Sequence, residues 1–378
     1  MKKLLALLLA CCMVLALCAC GSDAAKTDTT APAEDKKGDA APADVPAPAD
    51  EPAKTDEPAA ADWTADPKDE KGYFILDKPV DITIGAGTAT GTVYVYMGGV
   101  ANIASSELPD IRLNIEATSG SVGNMELLVS KDVEIGSVGA AYSYKRAHGI
   151  GLNEGEEAFD GFRALFPMYQ EHFYAVTPDK SITCLTDLNG KGVATGPVAG
   201  GANAWVGEAI AVWGYSWEIM NGGGSECGQM VSDGRASALI MPTGHPATAV
   251  REMETKAELN WVPISDEEIK AVLEACPWYS EAWLSASIYD SLKEDYHTMG
   301  QWTTMTTTTE LDNKVAYNLT KAVMEHNDIM SATHSTGTMS LPENVKYLKI
   351  PLHVGAYQYF LEQGIEIPEE LIPPEYGK

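Results

Sequence analysis

The segment Val80-Asp81-Ile82-Thr83-Ile84-Gly85-Ala86-Gly87-Thr88-Ala89-Thr90-Gly91-Thr92-Val93-Tyr94 decides the fold. Four of its first five residues are β-branched, which predicts a short strand. A Gly/Thr loop follows, and from about Gly91 to Glu107 the apolar residues recur at helical spacing. The same order then repeats. Ile111 to Glu116 alternates as a second strand, and Thr118-Ser119-Gly120-Ser121 caps a helix running through Val129. Val133 to Val138 reads as a third strand and Ala140 to His148 as a third helix. Strands spaced by helices imply a parallel sheet with right-handed crossovers.

Farther along, Phe162 to Phe166 and Phe173 to Val176 are apolar runs of strand length. A second unit opens at Asp187-Leu188-Asn189-Gly190-Lys191-Gly192-Val193, with a strand over 192–195, a glycine loop over 196–201 and a helix over 202–213. Ala236 to Met241 and Trp261 to Ile264 are its further strands. The Thr-rich stretch 298–309 reads as strand, and helices follow from Glu310 and around Tyr357. The expected fold is α/β, with two lobes, each a sheet flanked by helices, and a cleft between them. Lobe 1 is expected over 79–180, lobe 2 over 181–284, and the return to lobe 1 over 285–378.

The N-terminal residues read as an address. Met1-Lys2-Lys3 is a positive start and Leu4 to Leu17 a compact apolar run, as in a signal peptide over 1–20. Leu17-Cys18-Ala19-Cys20-Gly21-Ser22 resembles a bacterial lipobox, which implies lipidation at Cys20; an ordinary secretory signal without lipid is the alternative. Residues 21–62 hold thirteen Ala, six Pro, eleven acidic residues, four Lys and no aromatic, so no core can form there. With the lead-in, 21–78 is expected to be a disordered tether. Forty-odd flexible residues reach roughly 35 Å. The expected location is the outer face of a bacterial cytoplasmic membrane, held by two acyl chains.

Composition excludes several classes. The formal charge of −28 in 378 residues argues against a nucleic-acid binder working through a basic face. Four of the seven cysteines lie in the first twenty residues, which leaves Cys184, Cys227 and Cys276, too few for a disulfide framework. The seven histidines show no metal-type spacing, and no Gly-x-Ser-x-Gly elbow or thiol with a His partner is evident. No enzyme, cofactor or metal is expected. Gly85, Gly87 and Gly91 have the wrong spacing for a dinucleotide fingerprint, and no Gly-Lys-Ser/Thr completes a phosphate loop.

Three loops at strand ends remain as the candidate site, because ligands of open α/β sheets bind beyond the strands' carboxyl ends, near helix N-termini. From the first loop the candidates are Gly87, Thr88, Thr92 and Tyr94, and from the second Ser119, Gly120 and Ser121. The third supplies Gly196, Val198, Gly200, Gly201 and Asn203. Small hydroxyls and bare backbone amides suit a carboxylate or a zwitterion without a cationic side chain. The bland alternative is that each loop supplies only a turn and a helix cap.

Ile84 to Gly99, Ala117-Thr118-x-Gly120-Ser121, Asp187-Leu188-x-Gly190-Lys191 leading to Gly196-Pro197, and Ile350-Pro351-Leu352-His353-x-Gly355-Ala356 occur in one order. Together they resemble the TAXI branch of solute receptors for tripartite ATP-independent periplasmic (TRAP) transporters, over about 80–375. The resemblance implies a type II-like periplasmic-binding-protein fold that closes on a small organic solute, a carboxylate or amino acid, and delivers it to TRAP permease membrane subunits. It adds Gly139 and Ala140, after the third strand, and Thr243 and His245, in the loop Met241 to Pro246, as ligand contacts. His245 could donate to a carboxylate or be structural, and Trp205 and Tyr142 could wall the pocket or belong to the core. Ala86, Thr88, Ala89, Thr90 and Val93 in the first loop, Gly139, Ala140 and Ala141 after the third strand, and Gly200 and Ala202 in the third loop depart from the family's pattern, which implies fewer hydroxyls, a roomier pocket and a ligand bulkier or less polar than glutamate. The rival reading is a lipid-anchored sensor or interaction protein with the same fold and no transport partner.

Overall fold

Four β-branched residues in five give β1 (Val80–Gly85), and its Ile82 and Ile84 are buried. The computed structural model describes residues 63–151 and 157–376; the leader, Cys20 and the tether 21–62 lie outside them. After β1 come α1 (Thr92–Glu107), β2 (Ile111–Glu116), α2 (Ser121–Ser130), β3 (Ile135–Gly139) and α3 (Ala140–Ala147). β1 lies between β2 and β3 and runs parallel to both, as two strand–helix–strand units require.

The chain then enters a long strand, β4 (Phe162–His172), and crosses into the second sheet. That lobe comprises β5 (Val176–Thr177), β6 (Gly192–Ala194), α4 (Gly201–Trp213), β7 (Glu218–Met220), α5 (Gly224–Ser232), β8 (Ala238–Leu239), α6 (Thr248–Glu254), β9 (Asn260–Trp261) and α7 (Asp266–Ala275). Its strand order is β7-β6-β8-β5-β9. The return runs through β10 (Ser280–Leu284) and β11 (Tyr296–Thr308) to α8 (Asn313–Glu325), α9 (Asn327–Thr333) and α10 (Val354–Glu362). The first sheet reads β10-β11-β3-β1-β2, with β4 paired to β11. β11 is antiparallel to β3, β4 and β10, so this sheet is mixed where the repeated strand–helix pattern predicts a parallel one.

Three boundaries differ from expectation. The two runs 162–166 and 173–176 are not separate first-lobe strands: β4 continues to His172 and β5 already belongs to the second sheet. Pro167 and the polar Gln170-Glu171-His172 interrupt the apolar pattern, yet Pro167 sits opposite Thr304 at a register shift, where a missing N–H is tolerated. At the other end β10 pairs with β11, so the chain is back in the first sheet by Ser280 and not after 284. The lead-in 63–78 is not part of the tether. Tyr73 and Phe74 are buried, and Asn318 of α8 accepts from the Phe74 N–H and donates to its carbonyl at 2.8 and 2.9 Å. Aromatic burial orders a segment that has no strand or helix period.

One buried side chain holds the strand ends in place. The Asn124 amide nitrogen, on α2, lies 2.9 Å from the Gly85 carbonyl, 3.0 Å from that of Ala86 and 2.9 Å from that of Ser137, while its oxygen accepts from Thr118 Oγ1 at 2.7 Å. It thereby ties β1, β3 and the loop after β2 together. Gly85 has to be glycine beside it, since a Cβ there would stand 2.7 Å from Asn124 Oδ1. Replacing Asn124 by Leu leaves buried carbonyls without a donor, and we expect a loss of about 2–3 kcal/mol. Urea unfolding should show this as a lower midpoint with unchanged slope.

Candidate ligand-binding cleft

The predicted loops converge. The Thr118 N–H donates to the Gly87 carbonyl at 2.9 Å, joining the first two loops within lobe 1. Across the cleft, the Gly123 N–H donates to the Ala199 carbonyl at 3.1 Å and Tyr142 Oη to the Gly201 carbonyl at 2.6 Å. Thr92 Oγ1 donates to the Gly244 carbonyl at 3.1 Å, and Lys145 of α3 pairs with Glu208 of α4. The lobes are closed on one another. Glycine permits that approach: a Cβ on Gly201 would stand 2.9 Å from Ser121 Oγ and 2.9 Å from Tyr142 Cε2, both in the other lobe.

Closure leaves a cavity of about 90 Å³ between the loops. Gly87, Thr88 and Thr92 line it from the first loop, and Ser119, Gly120 and Ser121 from the second. Gly200, Gly201 and Thr243 line it from lobe 2. The helices that start here are uncapped. α1, α2 and α4 follow Gly91, Gly120 and Gly200, none of which offers a side-chain acceptor. Elsewhere α7 and α8 are capped by the side chains of Ser265 and Asp312, while α6 and α9 have no side-chain cap. Uncapped helix N-termini direct N–H groups and partial positive charge at whatever lies in front of them. Thr118 and Ser119 therefore do not cap α2 as expected; Gly120 takes that position at φ 105°, a left-handed conformation that favours glycine.

The other predicted contacts lie off the cavity. Tyr94 packs, half-buried, against the core. The Gly139 N–H donates to Ser121 Oγ at 3.0 Å, and Ala140 is buried at the start of α3. Gly196 makes a turn at φ 98°, and its carbonyl accepts from Asn221. Asn203 is spent on its own loop, accepting from Thr195 and Asn221 and donating to the Val198 carbonyl. The Val198 side chain is exposed. His245 is buried 2.7 Å from Tyr289 Oη, and burial with His172 and His334 nearby pushes its pKa well below the usual range, so the ring is neutral. Trp205 stacks on Tyr279 at 4.3 Å in the core. Nor is the expected extra room present: loops in contact across the cleft leave a narrow space. A larger depression, about 610 Å³, is open to solvent at the far edge of lobe 2 between Lys180 and His297, with none of the loop residues in its lining.

Glu171, absent from the sequence-based candidates, is the ionisable residue in the cavity lining. It stands near the end of β4 opposite Gln301 of β11, whose Nε2 donates to its Oε2 at 2.9 Å. Burial raises its pKa to about 7; Thr303 and Gln301 soften the effect, and no cationic side chain contributes. The neighbouring His172 faces the other way, and burial lowers its pKa to about 4. A carboxyl group inside an apolar strand pattern gives no signal in sequence beyond being out of place there.

The raised pKa has a consequence for stability. The unfolded chain releases this proton near the ordinary Glu value of 4.5, whereas the folded chain holds it to about 7. The wild type therefore loses stability as pH rises between those values and is level above them. Glu171→Gln does not titrate. Relative to the wild type it should gain up to about 3 kcal/mol on going from pH 4 to pH 8, read by urea unfolding at each pH.

Residues 84–364 match the model of the NMT1-like family. Solved structures similar to the chain include a histidine kinase sensor domain with similarity to periplasmic binding proteins, at 13% identity and TM-score 0.45 over 70% of this chain and 99% of that one. A putative L-cystine ABC transporter protein from Listeria monocytogenes is 14% identical, with TM-score 0.42 over 71% and 96%. An ancestral arginine-binding protein bound to arginine is 13% identical, with TM-score 0.42 over 68% and 96%.

Proposed function

The chain belongs to the NMT1-like family, and on that premise we propose that it is an extracytoplasmic solute-binding receptor. It captures a small carboxylate or amino acid between its lobes and hands it to TRAP-type permease subunits, tethered to the outer face of the membrane through lipid on Cys20, with no catalytic step. The observation that carries this reading is the set of three uncapped helix N-termini, from both lobes, at one cavity. A carboxylate placed there accepts hydrogen bonds from both lobes at once. Contacts to both lobes are what make the closed form the tighter binder and couple capture to closure. The chain's strong negative charge gives no long-range steering of anions, so attraction has to come from these local dipoles.

Thermal shift of the refolded full chain against organic acids, amino acids, aromatic acids and sugars tests the reading. A binding solute at a hundred times its Kd adds about 2.7 kcal/mol, a shift of several degrees. A flat panel, with nothing co-purifying by mass spectrometry, would overturn it. Gly201→Val probes closure separately, because its added methyls meet Ser121 and Tyr142 of the opposite lobe and not its own. We expect it to fold with an unchanged ligand-free Tm, to bind the solute at least tenfold more weakly, and to lose the ligand-dependent decrease in radius of gyration seen by small-angle X-ray scattering. Delivery is read with the same solute, as receptor-dependent uptake into proteoliposomes containing a TRAP permease.

A further inference from the structure

The paired ends of β4 and β11 place four polar side chains on one face. Tyr169 and Glu171 alternate along β4, and their partners across the ladder are Thr303 and Gln301. Period-two alternation puts all four on the same side, and Glu171 shows that this side reaches the ligand cavity. The group has no cationic member. The Tyr169 and Thr303 hydroxyls are buried beside Glu171, Thr303 and Gln301 both hydrogen-bond its carboxyl group, and the Gln301 Nε2 donates to its Oε2 at 2.9 Å. Gln301 is itself held, with its amide oxygen 3.3 Å from the Ala141 N–H. A buried carboxyl group with no cationic partner needs a reason, and a cavity wall that awaits a ligand supplies one.

Charge makes the reason specific. Among the described residues, the cavity lining contains one carboxyl group and no lysine, arginine or histidine. A second carboxylate beside Glu171 would meet a like charge in a site of low dielectric, whereas an ammonium would form a buried, hydrogen-bonded pair. The helix N-termini of the same cavity favour negative charge. A cavity of about 90 Å³ brings both features within reach of one small molecule.

We propose that Glu171 is a charge-selecting contact that receives the ammonium group of the solute, so that the receptor takes small amine-bearing acids of net charge zero or above and rejects dicarboxylates. This rests on the solute-receptor reading and narrows it. The carboxylate of such a solute lies at the N-termini of α1, α2 and α4, and its nitrogen donates to the Glu171 carboxylate.

The test uses matched probes that differ only in the amine: L-alanine and propionate, L-valine and 3-methylbutanoate, L-glutamate and glutarate. Calorimetric titration of the refolded full chain should show a neutral amino acid binding at least tenfold more tightly than its partner without the amine, with glutarate the weakest. In Glu171→Gln the difference within that pair should shrink to twofold or less, with the probe lacking the amine unchanged. The comparison in the wild type needs no variant, and Glu171→Asp, which keeps the charge, should retain the preference. An acid without the amine that binds as tightly as its amino partner, or a preference that survives in Glu171→Gln, overturns the inference and leaves the receptor reading standing. If no member of any pair binds, the small-acid reading and this inference fall together.

Discussion

Everything in this molecule hangs on the pairing of β4 with β11. These two strands carry the chain between sheets, and their ladder runs from Phe162 opposite Thr308 to His172 opposite Gly300. β11 joins that pair to β3 and so to the parallel strands of lobe 1. At the other end, the Phe173 N–H donates to the Met299 carbonyl at 2.9 Å and the His172 N–H to the Thr243 carbonyl at 3.0 Å, which brings in the lobe 2 loop. A long antiparallel ribbon bends and twists more readily than it slides, because sliding would break every rung. It is therefore a natural hinge, and it fixes which residues form the floor of the cleft.

On that floor and around it, the protein leaves unmet what a purely structural domain would satisfy. α7 and α8 have side-chain caps, but the helices at the cleft begin at glycines. A glycine in place of a Ser, Thr, Asp or Asn cap costs only about a few tenths of a kcal/mol per helix, so the N–H groups are left open cheaply. A buried carboxyl with no cationic partner is a further destabilising element. The glycine seam of Gly120, Gly200 and Gly201 forgoes side-chain packing for close backbone approach. Uncapped helix starts from both lobes, glycines in close approach and a buried carboxyl group meet at this one cavity, and together they mark it as a binding site.

Much of lobe 1 was legible. Strand β1, helix α1, strand β2 and helix α3 fall within a residue or two of the sequence reading, because each is set by local period and by the turn residues beside it. Nine of the sixteen predicted contact residues meet at the cavity, all of them small or hydroxylated and next to a helix start or a strand end. His245 failed because its neighbours come from distant segments: Tyr289 and the other buried rings withdraw it into the core. Asn203 failed for the opposite reason, since its amide is consumed by its own loop. The lead-in around Phe74 was misread because two aromatic residues without a period give no signal until α8 is there to cover them.

The sequence by itself determined the alternation of strand and helix, the glycine loops that uncap the helices, and the strongly acidic balance, since these depend on neighbouring residues and on counting. Tertiary structure alone decided that the three loops face one another, that the lobes meet through Gly201, Ser121 and Tyr142, and that Glu171 lies in the cavity. Glu171 and Gln301 are 130 residues apart, and only the register of β4 on β11 places them together. Register is a property of pairing between strands, set by the whole ladder and its bulges, so no local reading of either strand contains it.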